Sequence, residues 1–205
     1  MTLRKQYLTF ILTCFCSLSY AQDKTVVANI QPNIISVIPF QFTENGLGFG
    51  GSYERAIDKR GLIAFYLPVM VTFDVANSNR IYDYNTGNYS TGKADPLFYT
   101  MPGIKCYPTG SYGKVKYAAG LSAVVGYGQV SSNLVDLHGL NTTEYVQSHF
   151  LAGGMFQNSL NINAGKNLYI GIEIGVGSTF INDAGTVKQG NEFLIQGSFK
   201  VGYRF

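Results

Sequence analysis

The chain has 205 residues, of which 46% are hydrophobic and only 13% charged, with 24 glycines, 15 tyrosines, 14 phenylalanines and no tryptophan. A disordered chain would be charged and poor in aromatic residues, so this composition excludes one. The formal net charge of +3 comes without a basic patch, which gives no reason to expect a nucleic-acid partner.

The first element in chain order is a secretory signal peptide. Arg4 and Lys5 precede the mostly apolar segment Tyr7–Leu18, and small residues then occupy the −3 and −1 positions of a cleavage site. Residues 1–21 are therefore predicted to be removed, which leaves residues 22–205 as one barrel domain. Two of the three cysteines lie in the signal, so the mature chain keeps a single cysteine and no intramolecular disulfide is predicted.

Eight segments with one apolar face follow, each ended by a turn or a polar stretch. They are Asn33–Thr43, Leu47–Ile57, Leu62–Asp74, Leu97–Pro108, Lys114–Gln129, Val146–Leu160, Leu168–Ile181 and Phe193–Phe205. In the seventh, isoleucines at alternate positions oppose glycines and Glu173. This period-two alternation predicts strands with one face in apolar surroundings, because a helix would repeat its apolar residues three and four positions apart.

The connections between these segments differ in length according to their position. Short turns rich in glycine, asparagine and charge follow the even-numbered segments, and longer polar stretches follow the odd-numbered ones, apart from the tight turn Glu44-Asn45-Gly46. An even number of strands with all long loops at one end is typical of outer-membrane barrels, which satisfy every backbone group by closure. The sequence therefore predicts an all-β fold, a closed eight-stranded antiparallel up-and-down transmembrane β-barrel in the cell outer membrane.

Several charged residues fall on the faces opposite the apolar ones. If the isoleucines around Glu173 face lipid, the carboxylate of Glu173 points into the lumen. Charged side chains against lipid are costly, whereas opposite charges inside a narrow barrel pair with each other. We therefore expect a plugged lumen with a polar network. Its predicted members are Glu54, Lys105, Lys116, Glu173, Lys200 and Arg204.

The chain ends on FKVGYRF, in which Val201, Tyr203 and Phe205 continue the apolar face of the eighth segment. With the signal peptide and the eight segments, this ending resembles the small outer-membrane β-barrels of Gram-negative bacteria, of which the OmpX-like and OmpA-membrane-domain-like proteins are representatives. The resemblance implies that the assembly machinery of the outer membrane reads the terminal strand. The stretches NIISVIPFQFTENGLGFGGSYERA and FYLPVMVTF are also similar to uncharacterised small barrels of Bacteroidetes.

Histidine-based chemistry has little support in the sequence. Ser148 and His149 are adjacent in a predicted strand, so their side chains point to opposite faces and do not form a nucleophile–base pair. His138 has Asp136 nearby but lacks the further ligands that a metal site needs. We therefore predict no catalytic residue, no cofactor and no metal.

The polar stretch RIYDYNTGNYSTG is the best candidate for binding. Tyr82, Tyr84 and Tyr89 stand among asparagine, serine, threonine and glycine, a composition that recognition loops favour. A solvated external loop without a ligand has the same composition, so both interpretations stay open.

The sequence thus favours a small non-enzymatic outer-membrane protein with a structural role or a surface-binding role through its loops. Its expected partners are outer-membrane lipid, the barrel assembly machinery and an unidentified extracellular ligand. Three alternatives remain: an outer-membrane enzyme of the deacylase or acyltransferase type that acts on envelope lipids, a narrow channel, and a soluble lipocalin-like barrel. The last would place its apolar residues inside and typically carries a tryptophan in its first strand.

Overall fold

The computed structural model describes residues 31–44, 46–73, 80–82, 89–91, 94–135, 142–165, 167–184, 187–188 and 191–205. The predicted signal peptide, Tyr84, Asp136 and His138 lie outside the described residues. In the described part of the chain, no helix is long and apolar enough to cross a membrane.

Most of the described residues lie in strands. They are β1 (Asn33–Thr43), β2 (Gly46–Ala56), β3 (Ile63–Phe73), β4 (Arg80–Tyr82), β5 (Tyr89–Thr91), β6 (Ala94–Thr100), β7 (Gly103–Cys106), β8 (Val115–Val135), β9 (Thr142–Asn163), β10 (Leu168–Ala184), β11 (Val187–Lys188) and β12 (Phe193–Arg204).

Eight antiparallel barrel strands close on themselves. Consecutive strands pair from β1 through β3, then with β6 and β7 as one interrupted strand, then through β8, β9 and β10 to β12. The last strand pairs with the first, with Val201 opposite Val37 and Arg204 opposite Ile34. No described barrel strand is left with an unpaired edge, so backbone groups are satisfied laterally. The predicted closed eight-stranded antiparallel up-and-down barrel is confirmed.

The fourth barrel strand is interrupted, although the sequence predicted one continuous segment, Leu97–Pro108. Pro102 lies in the gap between β6 and β7 and has no N–H for the ladder. The neighbouring strands still hold this gap, because Met101 N donates to Pro68 O (3.2 Å) and Ala123 N donates to Pro102 O (2.9 Å). The barrel wall therefore continues across the break.

The hairpin of β8 and β9 is longer than predicted. The sequence predicted a polar connection over residues 130–145, but the two strands stay paired up to Val135 and Thr142. Pairing with β6 ends at Val130 and pairing with β10 ends at His149, so the tip of the hairpin pairs only with itself. The prediction was wrong here because a ribbon outside the barrel wall needs no apolar face, which is the signal that alternation detects.

The barrel is packed with its apolar face outward. Along β3, for example, Ile63, Val69 and Phe73 are exposed, whereas Tyr66 and Met70 are buried. In β1 a bulge after Val37 shifts the register, and the alternation of outward and inward side chains resumes beyond it. The outer surface is thus a belt of large apolar side chains, the reverse of a soluble barrel.

Candidate functional site

The lumen is closed toward the end with the long connections by apolar side chains. We call this cluster the apolar plug. It consists of Ile38, Met70, Leu97, Tyr99, Met101, Val124, Leu151, Met155 and Leu194, all nearly inaccessible to solvent. The interior of an eight-stranded barrel is just wide enough for side chains, and here they fill it. The plug therefore leaves the described barrel without an open axial pore at this level.

Four side chains of the predicted polar network meet in the lumen. We call Glu54, Lys105, Glu173 and Lys200 the ion network. Oε2 of Glu173 lies 2.7 Å from Nζ of Lys105 and 2.6 Å from Nζ of Lys200. Oε2 of Glu54 lies 3.5 Å from Nζ of Lys105. Two carboxylates and two ammonium groups thus balance each other in a site that is closed to water.

Buried tyrosines complete the ion network. Tyr66 donates to Oε1 of Glu173 (3.2 Å), and its ring lies under the ammonium of Lys105, 3.6 Å from the ring centroid. Tyr107 donates to Oε1 of Glu54. These contacts satisfy oxygens that the lysines do not reach. Sequence reasoning missed both tyrosines as network members, although the inward position of Tyr66 in β3 was the available signal.

The other two predicted network residues lie apart, at the end of the barrel where the short turns are. Nζ of Lys116 donates to the backbone oxygen of Ser111 and to Oδ1 of Asn163 (3.1 Å). Cζ of Arg204 lies 5.5 Å from the ring centroid of Tyr112. We call Lys116, Arg204, Ser111 and Tyr112 the cationic end. The six predicted residues are therefore all buried, but they form two groups.

At the opposite rim, His149 belongs to a short polar chain. Its Nε2 donates to Oδ1 of Asn182 (2.7 Å), and Nδ2 of Asn182 donates to Oε2 of Glu192 (2.7 Å). Ser148 is exposed and precedes His149 in the strand, so the two side chains diverge. His149 is thus engaged by Asn182, and in the part of the chain that the structure describes no group of three His, Cys, Asp or Glu could hold a metal ion.

The candidate binding stretch forms a small hairpin of its own. β4 and β5 pair antiparallel, and Tyr82 lies directly opposite Tyr89. Tyr84 is outside the described residues. The backbone thus brings two of the three candidate tyrosines to neighbouring positions beyond the barrel wall.

The terminal strand presents its apolar row outward. Val201, Tyr203 and Phe205 are 37%, 55% and 47% exposed, and the rings of Tyr203 and Phe205 stack with centroids 6.4 Å apart. Phe205 N donates to Asn33 O (2.9 Å) and Asn33 N donates to Phe205 O (3.0 Å). The last residue is therefore part of the seam that closes the barrel.

Comparison with known proteins identifies the fold. No protein-family model matches the chain, and no curated protein matches its sequence. A major outer membrane protein from Thermus thermophilus matches with a TM-score of 0.63 at 13% identity, covering 84% of this chain and 98% of that one. Ail, the attachment invasion locus protein of Yersinia pestis, matches with a TM-score of 0.49 at 13% identity, covering 86% of this chain and 100% of its own. At such identities the similarity is one of fold.

Proposed function

We propose that this chain is a non-enzymatic outer-membrane protein that binds a partner at the cell surface through its long connections. The observation that carries the proposal is the belt of exposed apolar side chains around a filled lumen that holds a buried ion network. Such a belt is stable in lipid and would aggregate in water. The fold shared with an outer-membrane protein of Thermus thermophilus supports the same location.

The filled lumen supports a role at the surface over transport or lipid chemistry. The apolar plug and the ion network occupy the axis, which a channel would need open. The two candidate acid–base groups are also engaged elsewhere: Glu173 contacts two lysines, and His149 contacts Asn182. The binding role is therefore assigned to what projects from the wall, the β4–β5 hairpin and the tip of the β8–β9 hairpin.

The outer-membrane location is tested by fractionation of cells that express the protein. Expressed in a Gram-negative host, the protein should sediment with the outer membrane and migrate faster on an SDS gel before boiling than after, as a closed barrel does. A chain that stays soluble without detergent would contradict the membrane assignment.

The binding role is tested with a photoreactive amino acid on intact cells. Placed at position 84, which lies between β4 and β5 in the sequence, it should capture an external component after illumination. The matched control carries the same group at position 59, in the turn at the other end of the barrel. If position 84 captures no more than position 59 in cells with a correctly assembled barrel, the surface-binding role is wrong and the fold assignment stands.

A further inference from the structure

Two buried cations at the cationic end make no salt bridge with any described carboxylate. Among the described residues, the buried charged side chains are four cations and two carboxylates, and both carboxylates belong to the ion network. Lys116 and Arg204 are 0% and 5% exposed, and neither takes part in a salt bridge within the described structure. Because an uncompensated buried charge is strongly unfavourable, these two positions favour the approach of an anion.

The free donors of the cationic end are arranged for an oxyanion. Nε and Nη2 of Arg204 are buried and have no hydrogen-bond partner in the described part of the protein. These two nitrogens lie on the same edge of the planar guanidinium, the edge that binds two oxygens of one anion side by side. The hydroxyls of Ser111 and Tyr112 are also buried there, and among the described residues neither is bonded to any group but the other. The ammonium of Lys116 uses two of its three protons in the bonds already described.

The turn that carries these hydroxyls is built into the barrel end. Tyr107 N donates to Leu62 O (2.7 Å), which ties this turn to the neighbouring one. Gly61 in that neighbouring turn has φ of +65°, and a Cβ there would lie 2.5 Å from Oγ of Ser111. Glycine therefore allows the two turns to pack closely, and Ser111 is held at 2% exposure beside the cations.

We propose that the cationic end binds one small tetrahedral oxyanion of the phosphate or sulfate class. Arg204 holds two oxygens through Nε and Nη2, Lys116 supplies the second positive charge, and the hydroxyls of Ser111 and Tyr112 donate to the remaining oxygens. The site depends on the barrel fold alone and is independent of the surface-binding role.

The test uses inorganic phosphate as the probe. The protein is refolded in a non-ionic detergent without phosphate, and its urea unfolding midpoint is measured while phosphate replaces chloride at constant ionic strength. Phosphate should raise the midpoint, at first little and then in proportion to the logarithm of its concentration above the Kd, because a ligand that binds only the folded state stabilises it. Arg204→Gln should abolish the shift, and the matched control Arg55→Gln, which changes an exposed arginine at the same end, should keep it.

Ser111→Ala is the second variant, in case Arg204→Gln fails to fold. It removes one neutral donor and should weaken phosphate binding about tenfold, the effect of one hydrogen bond to a charged group. The proposal is overturned if phosphate acts no differently from chloride, or if Arg204→Gln still responds. The predicted mature chain carries Asp23 ahead of β1, outside the described residues. The proposal is also overturned if phosphate acts only on Asp23→Asn, since the chain's own carboxylate would then serve as the counter-charge.

Discussion

Glu173 makes the two shortest ion pairs of the ion network. Its single oxygen Oε2 contacts two ammonium groups, and its other oxygen accepts from Tyr66. Lys200 has no other carboxylate partner among the described ion pairs, whereas Lys105 also reaches Glu54 at 3.5 Å. Loss of the Glu173 charge therefore isolates one lysine and weakens the neutralisation of another.

We expect Glu173→Gln to destabilise the barrel by about 3–5 kcal/mol, the usual cost of removing one partner of a buried ion pair. Equilibrium urea unfolding in lipid vesicles measures it. The double variant Glu173→Gln/Lys200→Met should be less destabilised than the sum of the two single variants, by about 1 kcal/mol or more. Additive effects would mean that Glu173 and Lys200 are not energetically coupled.

The carboxylate of Asp58, in the turn between β2 and β3, makes a pH-dependent contribution to the stability of the fold. Its Oδ1 accepts from Ile63 N (2.8 Å) and its Oδ2 from Arg60 N (3.0 Å). The hydrogen bond from Ile63 N is the main reason that the pKa of Asp58 is lowered. A carboxyl with a lowered folded-state pKa stabilises the fold above the unfolded pKa, and this contribution is lost as the pH falls through the folded value.

Asp58→Ala should therefore lower the urea midpoint at pH 7, and the gap to the parent protein should close below about pH 4. Lys59→Ala, in the same turn, is the control and should change the midpoint little at either pH. A gap of equal size at pH 7 and at about pH 3 would show that the carboxylate charge does not matter.

The seam between β1 and β12 is the element that completes the barrel. Phe205 contributes to it in two ways, through its paired backbone hydrogen bonds with Asn33 and through its exposed ring. The backbone bonds act on folding wherever it occurs. The ring projects outward, the side from which we expect the assembly machinery to read the terminal strand. The two roles are therefore separable by choosing what to remove.

We expect Phe205→Ala, which keeps the backbone bonds, to refold in detergent at nearly the parent rate but to accumulate several-fold less in the outer membrane of cells. Deletion of Phe205 should impair both processes. Gel mobility without heating reports the folded fraction in each case. Normal assembly of Phe205→Ala in cells would show that the terminal ring is not part of an assembly signal.

For the whole barrel, period two was enough to predict the strand count and the inward position of Glu173 and Lys116, and the alternation of long and short connections predicted closure. It could not predict which inward residues meet, because contacts across the lumen depend on the stagger between strands that are distant in sequence. Lys105 reaches Glu173 across the barrel, whereas Arg204 reaches neither carboxylate. Period-two alternation also failed to predict the polar tip of the β8–β9 hairpin, because a ribbon outside the barrel wall needs no apolar face.

From the exposed apolar belt we predict that the barrel is surrounded by lipid. Ile174 lies outward within the apolar row of β10 and is 57% exposed, and Leu168 lies at the end of the same row. In a bilayer, Ile174→Arg should cost about 2–4 kcal/mol, and Leu168→Arg only about 0–1 kcal/mol, because the cost of a charge falls toward the interface. Urea unfolding in vesicles measures both. If the two variants cost the same small amount, the belt does not face lipid, since in water both substitutions would be surface changes with little effect.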